Sequence, residues 1–480
     1  MKKCKHTVSI FLAVLLLLCA FVPLQVGATA PYITEGDFLY VENDDGTLSV
    51  FRYNASADTV SIPATVQNRP VTDISSNAFL FHSTLREVTL PESIHRIGMN
   101  AFGDCSNLTS INLDHVQVIE SMAFLRCTNL LHISFAEQPL SIGADAFEQT
   151  AWLENQPDGV VYAGQTVYQY KGNTGAATVQ LKEGTKAIAA QAFSGCSFLT
   201  EMILPDGIEN IQSSAFANCR NLEKISFPAT LTKIEMSAFF NCEKLTDLQF
   251  PDSLHTVGGQ AFAKTAWLES QSDGLVYAGR VAYVYKGSMP QDTSLTLNPG
   301  TVSVAQSAFS GCSGLKEIVL PDSVKEIGTN AFVKCTNLSS VSIPSGVTHI
   351  ESGAFTGCDS LTSVTIPLSV TSIGSAAFGY NAYEEQYEAF TIYGYPDSVA
   401  QAYAQENQVA FVPLSLSRGD LNGDNKITTS DVLTLQKFLA KSATLTTQQQ
   451  QASDTDQNTI LSTSDVLLMQ KYIAKMIDKL

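Results

Sequence analysis

The dipeptide Ala-Phe recurs through this 480-residue chain at a nearly fixed interval, and this repeat restricts the fold more than any other feature. Its phenylalanines lie at positions 79, 102, 124, 147, 193, 216, 239, 262, 309, 332, 355 and 378. One unit of this length cannot bury its own apolar face, so a fixed period of roughly 20–50 residues indicates stacked coils that share a core. The chain is therefore predicted to form a solenoid of about 12 coils of 23 residues, with hairpin insertions at the two longer intervals.

The same frame surrounds most copies of the dipeptide. In Leu361–Pro367 it reads LTSVTIP, a period-2 stretch that predicts a short strand, and the Pro ends the strand because it cannot donate to a sheet. The residue ten positions after each Phe should face outwards, and these residues are small and mostly polar. Such a row suits a protein-contact face or a merely solvated one. The row comprises Thr89, Asn112, Ser134, Ile203, Ser226, Gln249, Val319, Ser342 and Thr365.

A longer period groups the coils into three modules of four, which begin at Phe79, Phe193 and Phe309. An Asp-Gly pair precedes each module, and Asp-Gly before alternating apolar residues predicts the turn of a β-hairpin. The pairs lie at Asp45-Gly46, Asp158-Gly159 and Asp273-Gly274.

Eight cysteines follow the first 28 residues, each three positions after a repeat Phe. Equivalent side chains on stacked coils point in the wrong direction for bridges, so buried free thiols are predicted. The cysteines are Cys105, Cys127, Cys196, Cys219, Cys242, Cys312, Cys335 and Cys358. Trp152 and Trp267 are interpreted as packing residues, with an aromatic platform for sugar rings as the alternative.

No catalytic constellation accompanies the repeats. The seven histidines are scattered, and the sequence contains no G-x-S-x-G, G-x-x-x-x-G-K or C-x-x-C motif. The chain is therefore predicted not to be an enzyme. A polysaccharide-acting enzyme on a repeat frame is the least favoured alternative.

The first 28 residues have the pattern of a signal peptide. Lys2, Lys3 and Lys5 precede an apolar run over 10–22, and the small residues at 26–28 fit a cleavage site. The net charge of −18 argues against nucleic acid and anionic membranes as partners. No later stretch is long and apolar enough to cross a bilayer. The mature protein is predicted to be secreted and extracellular, without membrane insertion.

The chain ends in two acidic phrases 34 residues apart, and a helical pattern follows each of them. Oxygen-bearing groups fall at positions 1, 3, 5, 7, 9 and 12 of a twelve-residue loop, with a backbone carbonyl at position 7, which is the ligand pattern of Ca²⁺. Two calcium ions are therefore predicted. Their ligands are Asp420, Asn422, Asp424, Lys426, Thr428 and Asp431 in the first loop, and Asp454, Asp456, Asn458, Ile460, Ser462 and Asp465 in the second.

Position 6, where such a loop turns sharply, differs between the two copies. Asn425 in the first loop tolerates the left-handed conformation, whereas Thr459 in the second does not. The second loop is therefore expected to be strained or to bind calcium more weakly.

These motifs resemble two known families. The frame LxxVxIPxxVxxIGxxAFxxC, over residues 60–395, looks like the BspA-like leucine-rich repeats of bacterial surface and secreted proteins, which implies a solenoid and, for some members, adhesion or protein binding. The doubled loops over residues 419–480, with Asp at position 12, are similar to the type I dockerin. That resemblance implies calcium-dependent folding and docking onto a cohesin of a scaffolding protein, commonly in a cellulosome.

The dockerin resemblance also implies which residues contact the cohesin, one set in each segment. The two sets are identical in type, which implies that the module can dock in either of two orientations. They are Thr429, Ser430, Gln436, Lys437 and Lys441, and then Thr463, Ser464, Gln470, Lys471 and Lys475.

Together these features predict a β-rich leucine-rich-repeat solenoid followed by a small all-α calcium-binding dockerin with two EF-hand-like loops. The predicted function is that of a secreted non-catalytic cellulosome subunit whose repeats bind an unidentified ligand, expected to be a protein. A carbohydrate- or cell-wall-binding adhesive subunit is the alternative. The predicted domains are a signal peptide (1–28), an N-terminal hairpin and cap (29–65), the solenoid (66–390), a C-terminal cap (391–413), a linker (414–418) and the dockerin (419–480).

Overall fold

The computed structural model describes residues 32–383, 385–424 and 426–480. The predicted signal peptide and Asn425 therefore lie outside the described residues. The described residues divide into two compact units, one that ends at Gln249 and includes Gln260–Glu269, and the other of Phe250–Gly259 with Ser270–Leu480.

The described part of the first unit consists of short strands and two one-turn helices. The strands are β1 (Ile33–Glu35), β2 (Phe38–Glu42), β3 (Leu48–Tyr53), β4 (Thr59–Ser61), β5 (Thr65–Val66), β6 (Arg69–Ile74), β7 (Glu87–Thr89), β8 (Arg96–Ile97), β9 (Ser110–Leu113), β10 (Val118–Ile119), β11 (His132–Phe135), β12 (Ser141–Ile142), β13 (Gly159–Ala163), β14 (Thr166–Lys171), β15 (Thr178–Gln180), β16 (Ala187–Ile188), β17 (Glu201–Ile203), β18 (Asn210–Ile211), β19 (Lys224–Ile225) and β20 (Lys233–Ile234). The helices are α1 (Ala151–Glu154) and α2 (Ala266–Glu269).

Most regular coils of the first unit give one strand to each of two parallel ladders. One ladder runs β4-β7-β9-β11, and the other runs β3-β6-β8-β10-β12 after the antiparallel pairs β1-β2 and β2-β3. In the second ladder Ile97 pairs with Ile119, and Ile119 pairs with Ile142. The same arrangement returns in β15-β17-β19 and β14-β16-β18-β20. Equivalent residues of successive repeats are thus paired in the sheets, so the spacing of the repeats sets the register of the strands.

The repeat phenylalanines form stacked columns inside the coils. The rings of Phe102 and Phe124 lie 5.3 Å apart between centroids and only 1° from parallel. The backbone N–H of Phe102 donates to the carbonyl of Ala123 in the next coil at 2.8 Å, so the main chain and the ring follow the same register. Full burial of a Phe side chain contributes roughly 1.5–3 kcal/mol, which makes this column a main source of stability.

The repeat cysteines lie inside the coils as free thiols, as predicted. The thiol of Cys105 donates to the carbonyl of Phe79 at 3.1 Å, and that of Cys219 donates to Phe193 at 3.0 Å. Burial raises the pKa of Cys105 to about 12, so this thiol stays protonated at neutral pH. Cys312 is half-buried.

The two tryptophans pack against the phenylalanine column. Both are only 8% exposed and lie on the one-turn helices α1 and α2. The ring of Trp152 meets Phe147 edge-on at 5.2 Å, and Trp267 meets Phe262 in the same way at 5.2 Å. Their interpretation as packing residues is confirmed.

The second unit continues the repeat and ends in a helical module. Its strands are β21 (Thr256–Val257), β22 (Gly274–Ala278), β23 (Val281–Lys286), β24 (Thr293–Thr296), β25 (Ser303–Val304), β26 (Leu315–Val319), β27 (Glu326–Ile327), β28 (Ser340–Ser342), β29 (His349–Ile350), β30 (Ser363–Thr365), β31 (Ser372–Ile373), β32 (Thr391–Gly394) and β33 (Ala410–Pro413). Its helices are α3 (Val399–Glu406), α4 (Thr429–Leu439), α5 (Thr447–Ser453) and α6 (Thr463–Ile473). The sheets run β22-β23-β25-β27-β29-β31, β24-β26-β28 and β30-β32-β33.

Three hairpins lead the modules, as predicted: β2–β3, β13–β14 and β22–β23. Asp45-Gly46 lies in the turn of the first hairpin. The prediction is wrong for the other two, because their turns contain Gly164 and Gly279, at φ +59° and +60°. There Gly159 and Gly274 begin the first strand instead. The second strand of each hairpin pairs in parallel with the next coil, so the solenoid has about 16 turns.

The predicted C-terminal cap, residues 391–413, is called here the terminal segment and consists of strand β32, helix α3 and strand β33. The hydroxyl of Tyr403 on α3 donates to the carbonyl of Phe378 at 2.9 Å and accepts the N–H of the same residue at 3.0 Å. Ser398 caps α3. The terminal segment therefore covers the last ring of the phenylalanine column.

The helical module has its own small core between α4 and α6. Val432 and Leu435 of α4 and Val466 and Met469 of α6 are buried, as the helical spacing predicts. Leu439 and Ile473 pack against them and are partly buried. The two repeated segments are thus joined through their equivalent apolar faces.

Candidate calcium loops and docking surface

The residue at position 12 of each loop starts the helix that follows. Thr428 caps α4 and Asp431 is its N3 residue, with a carboxylate oxygen that accepts the N–H of Thr428 at 2.9 Å. Ser462 and Asp465 make the same capping box on α6, also at 2.9 Å. The hydroxyls at position 9 of the two loops therefore cap the helix N-termini. Because the position-12 carboxylate belongs to the same capping box, the end of the loop and the first turn of the helix form together.

The first loop is folded around its own acidic side chains. One carboxylate oxygen of Asp420 accepts the N–H of Gly423 at 2.7 Å, and a carboxylate oxygen of Asp424 accepts that of Lys426 at 2.8 Å. The amide oxygen of Asn422 accepts the N–H of Asp424 at 3.0 Å. These contacts bring the side chains at positions 1, 3 and 5 into one turn.

The second loop brings its predicted ligands closer together. Oxygen atoms of Asp454, Asp456 and Asp465 all lie within 4.8 Å of one another, and the described residues contain no other group of three or more His, Cys, Asp or Glu side chains so arranged. The amide oxygen of Asn458 accepts the N–H of Ile460 at 2.7 Å. Three carboxylate groups at this separation repel one another unless a cation lies between them.

The chemistry of both loops fits a hard cation. Asp431 and Asp465 are fully buried, and no ion pair among the described residues includes either of them. Burial of an uncompensated carboxylate is costly, and the hydrogen bonds it accepts offset only part of that cost. Calcium prefers carboxylate, amide and carbonyl oxygens, which are the groups that these loops carry.

The left-handed turn predicted for position 6 is present in the second loop. Thr459 has φ +68°, an unfavourable conformation for a β-branched residue. Its N–H donates to Asp454 at 3.0 Å and its hydroxyl donates to the carbonyl of Asn458 at 2.6 Å. The backbone of the second loop is therefore strained at position 6.

The first loop lies against the terminal segment of the solenoid. The hydroxyl of Tyr395, which directly follows β32, donates to the carbonyl of Gly423 at 3.2 Å. Burial, followed by the charges of Asp420 and Asp424, raises the pKa of Tyr395. No sequence motif predicted this contact.

The residues implied to contact a cohesin lie on α4 and α6 and just beyond their ends. Both sets are exposed except Lys471, which is half-buried. Ser464 also donates to the carboxylate of Asp456 at 2.7 Å, so a recognition residue touches a predicted calcium ligand. Leu433 and Leu467, each 50% exposed, lie at equivalent places on the two helices. The sequence interpretation missed this pair, although the doubled phrase SDVL contains it.

The outward row of the solenoid is also where the repeat frame places it. All nine of its residues are exposed, including Ile203 and Val319 at 40% and 43%. In the first unit an open groove of about 740 Å³ lies beside Ile203 and Ser226 and is also lined by Glu223 and Lys244. This face offers small and apolar groups edged by charges.

The architecture defines a leucine-rich-repeat solenoid that carries a duplicated loop–helix module. A family model described as BspA type leucine rich repeat region matches residues 48–173, 166–272 and 282–388, and the chain belongs to this family. Residues 418–474 match the dockerin type I domain. Dockerin type I domains bind calcium and imply a cohesin partner in a cellulosome context, and both matches point to an extracellular or cell-surface protein.

Solved structures of similar chains are bacterial leucine-rich-repeat proteins. A leucine rich cell surface protein from Faecalibacterium prausnitzii A2-165 is 26% identical, with 84% of this chain and 98% of that chain covered and a TM-score of 0.29. A leucine-rich repeat protein from Bacteroides ovatus ATCC 8483 is also 26% identical, with 80% and 100% covered and a TM-score of 0.26. No curated protein matches the chain. Among the described residues, no helix has the length and apolar character needed to span a bilayer.

Proposed function

We propose that this protein is a secreted, non-catalytic subunit of a cellulosome-type assembly. Its dockerin would bind a cohesin of a scaffolding protein, and its solenoid would present a recognition surface. The observation that carries this proposal is the duplicated module itself. In each copy the position-12 aspartate caps a helix, and the recognition residues on and just beyond that helix are exposed except Lys471. The repeats and the dockerin are both typical of non-catalytic proteins.

Calcium would occupy both loops and hold the two helices in a docking-competent arrangement. Asp431 and Asp465 would each bind an ion while capping a helix, so loss of the ion would leave a buried charge at the start of α4 or α6. The ion would also fix Asp456, to which Ser464 is hydrogen-bonded. Metal binding and the shape of the docking surface are thereby linked.

The two recognition sets would provide the polar part of the cohesin contact, and Leu433 and Leu467 an apolar part. Interface energy is concentrated in few residues that are desolvated on binding. Leu433 lies one helical turn before Lys437, and Leu467 lies one turn before Lys471, so each leucine is beside a recognition lysine on its helix face.

Charge reversal at the recognition lysines tests this surface. We expect K437E together with K471E to weaken cohesin binding by at least about 100-fold, because the charge of a recognition lysine is reversed on both helices. Either substitution alone should weaken binding by less than about threefold, since the second set remains. Isothermal titration of the full chain with a cohesin measures both effects.

K479E is the matched control, because Lys479 is exposed and belongs to neither set. It should bind like the wild-type chain. Equal binding by the double variant and by K479E would show that the docking surface lies elsewhere.

The solenoid is proposed to bind a protein through its outward row. An adhesive role on cell-wall carbohydrate is the alternative. The full chain can be held on a cohesin resin by its dockerin, which leaves the row free. We expect it to retain a secreted protein, and V319R with S342R to abolish retention while H349R, on the other ladder, preserves it. Retention of polysaccharide instead would favour the adhesive role.

A further inference from the structure

The contact between the terminal segment and the first calcium loop is closely packed. Tyr395 is only 6% exposed, and its hydroxyl donates to the carbonyl of Gly423, at position 4 of the loop. A Cβ atom added to Gly423 would lie 2.5 Å from the Tyr395 hydroxyl oxygen and 2.7 Å from the ring carbon that bears it. The phenol therefore fills the space that a side chain at Gly423 would need.

The second loop shows that the loop path itself accommodates a side chain at this position. Gln457 is the position-4 residue there, with φ +59° against +74° for Gly423, and its side chain is exposed. A left-handed residue with a side chain is thus compatible with the loop conformation. What excludes a side chain at Gly423 in this structure is the close approach of Tyr395.

A second pair of contacts holds the connection between the terminal segment and the dockerin. The N–H of Leu414 donates to the carbonyl of Gly394 at 2.7 Å, which extends the pairing of β32 with β33. The side-chain amide of Gln448, on α5, donates to the carbonyl of Leu414 at 3.2 Å. The predicted linker, residues 414–418, is thus bound at its first residue from both sides.

We propose that Tyr395 couples the terminal segment to the first calcium loop, so that the segment is held rigid only while the loop has its calcium-bound shape. This inference rests on the proposed calcium occupancy of that loop. The carbonyl of Gly423 lies between Asn422 and Asp424, two predicted ligands, so its position depends on how those side chains are held. When those two side chains are no longer held in place, the Tyr395 hydroxyl loses its hydrogen-bond acceptor and the ring loses its close packing against Gly423.

Hydrogen exchange of the full chain, followed by mass spectrometry, tests the coupling. With calcium present, we expect peptides from residues 391–413 to exchange at least about tenfold more slowly than in chelator, although no predicted ligand lies in them. G423Q should abolish this difference in residues 391–413, and Q457G, the matched change in the second loop, should preserve it. Y395F keeps the ring and removes only the hydroxyl, so a smaller loss is expected. Combining Y395F with G423Q should add nothing to G423Q alone.

The outcomes separate this inference from the proposed function. The coupling is supported if calcium slows hydrogen exchange in residues 420–431 and in residues 391–413, and if G423Q abolishes the effect on residues 391–413. Calcium protection of 420–431 without any effect on 391–413 overturns the coupling and leaves the dockerin function intact. Absence of calcium protection in both regions overturns the proposed calcium site and the coupling with it. Cohesin binding, measured on the same samples, should persist in Y395F and Q457G.

Discussion

Replacement of both Asp420 and Asp454 by alanine is expected to abolish calcium binding and to reduce cohesin affinity by at least about 1,000-fold. Each is the first residue of its loop, and the carboxylate of Asp420 is almost fully buried. In a small metal-dependent module the free energy of metal binding is largely free energy of folding, so loss of about 4 kcal/mol or more is expected at the docking surface. Calorimetric titration of the full chain with calcium, and then with a cohesin, measures both quantities.

D478A is the control for this experiment. Asp478 is an exposed aspartate of the same module and lies in neither loop. Its replacement should change both affinities by less than about twofold. Wild-type cohesin binding by the Asp420 and Asp454 double variant would contradict the proposed role of the loops.

Replacement of Phe216 by alanine is expected to destabilise the first unit by about 3–5 kcal/mol. The ring is fully buried and lies 5.1 Å from the rings of Phe193 and Phe239, nearly parallel to both. Removal of the Phe216 ring leaves a cavity in the middle of the phenylalanine column. Each coil packs only against the coils next to it, so no other part of the chain can fill this cavity. Urea denaturation, followed by the fluorescence of Trp152 and Trp267, measures the loss.

F81A provides the matched control in the same unit. Phe81 is 68% exposed, so its replacement should change the free energy of unfolding by less than about 0.5 kcal/mol. A loss below about 1 kcal/mol in F216A would mean that the phenylalanine column contributes little to stability.

The repeat architecture could be predicted from the sequence because every coil carries the same information. A nearly fixed spacing between Phe102, Phe124 and Phe147 places equivalent residues above one another, and the parallel ladders follow from that register. The cysteines and the outward row were predicted for the same reason.

The structural features that the sequence did not predict lie outside the regular coils. The Asp-Gly pairs of the second and third hairpins mark the start of a strand, because a glycine with positive φ is needed both there and at the turn. Gly159 and Gly164 could not be assigned between these two roles by composition alone. The contact of Tyr395 with Gly423 joins the terminal segment of the solenoid to the first loop of the helical module. Neither the coil repeat nor the loop repeat predicts a contact between the two.

Calorimetric titration of a cohesin into the wild-type full chain, once with calcium and once with a chelator of calcium, tests the central claim most directly. The proposed function predicts one cohesin bound per chain with calcium and no measurable heat of binding without it. Equal affinity under both conditions, or no binding to any of a panel of type I cohesins with calcium present, would contradict the proposal that this protein is a docked subunit.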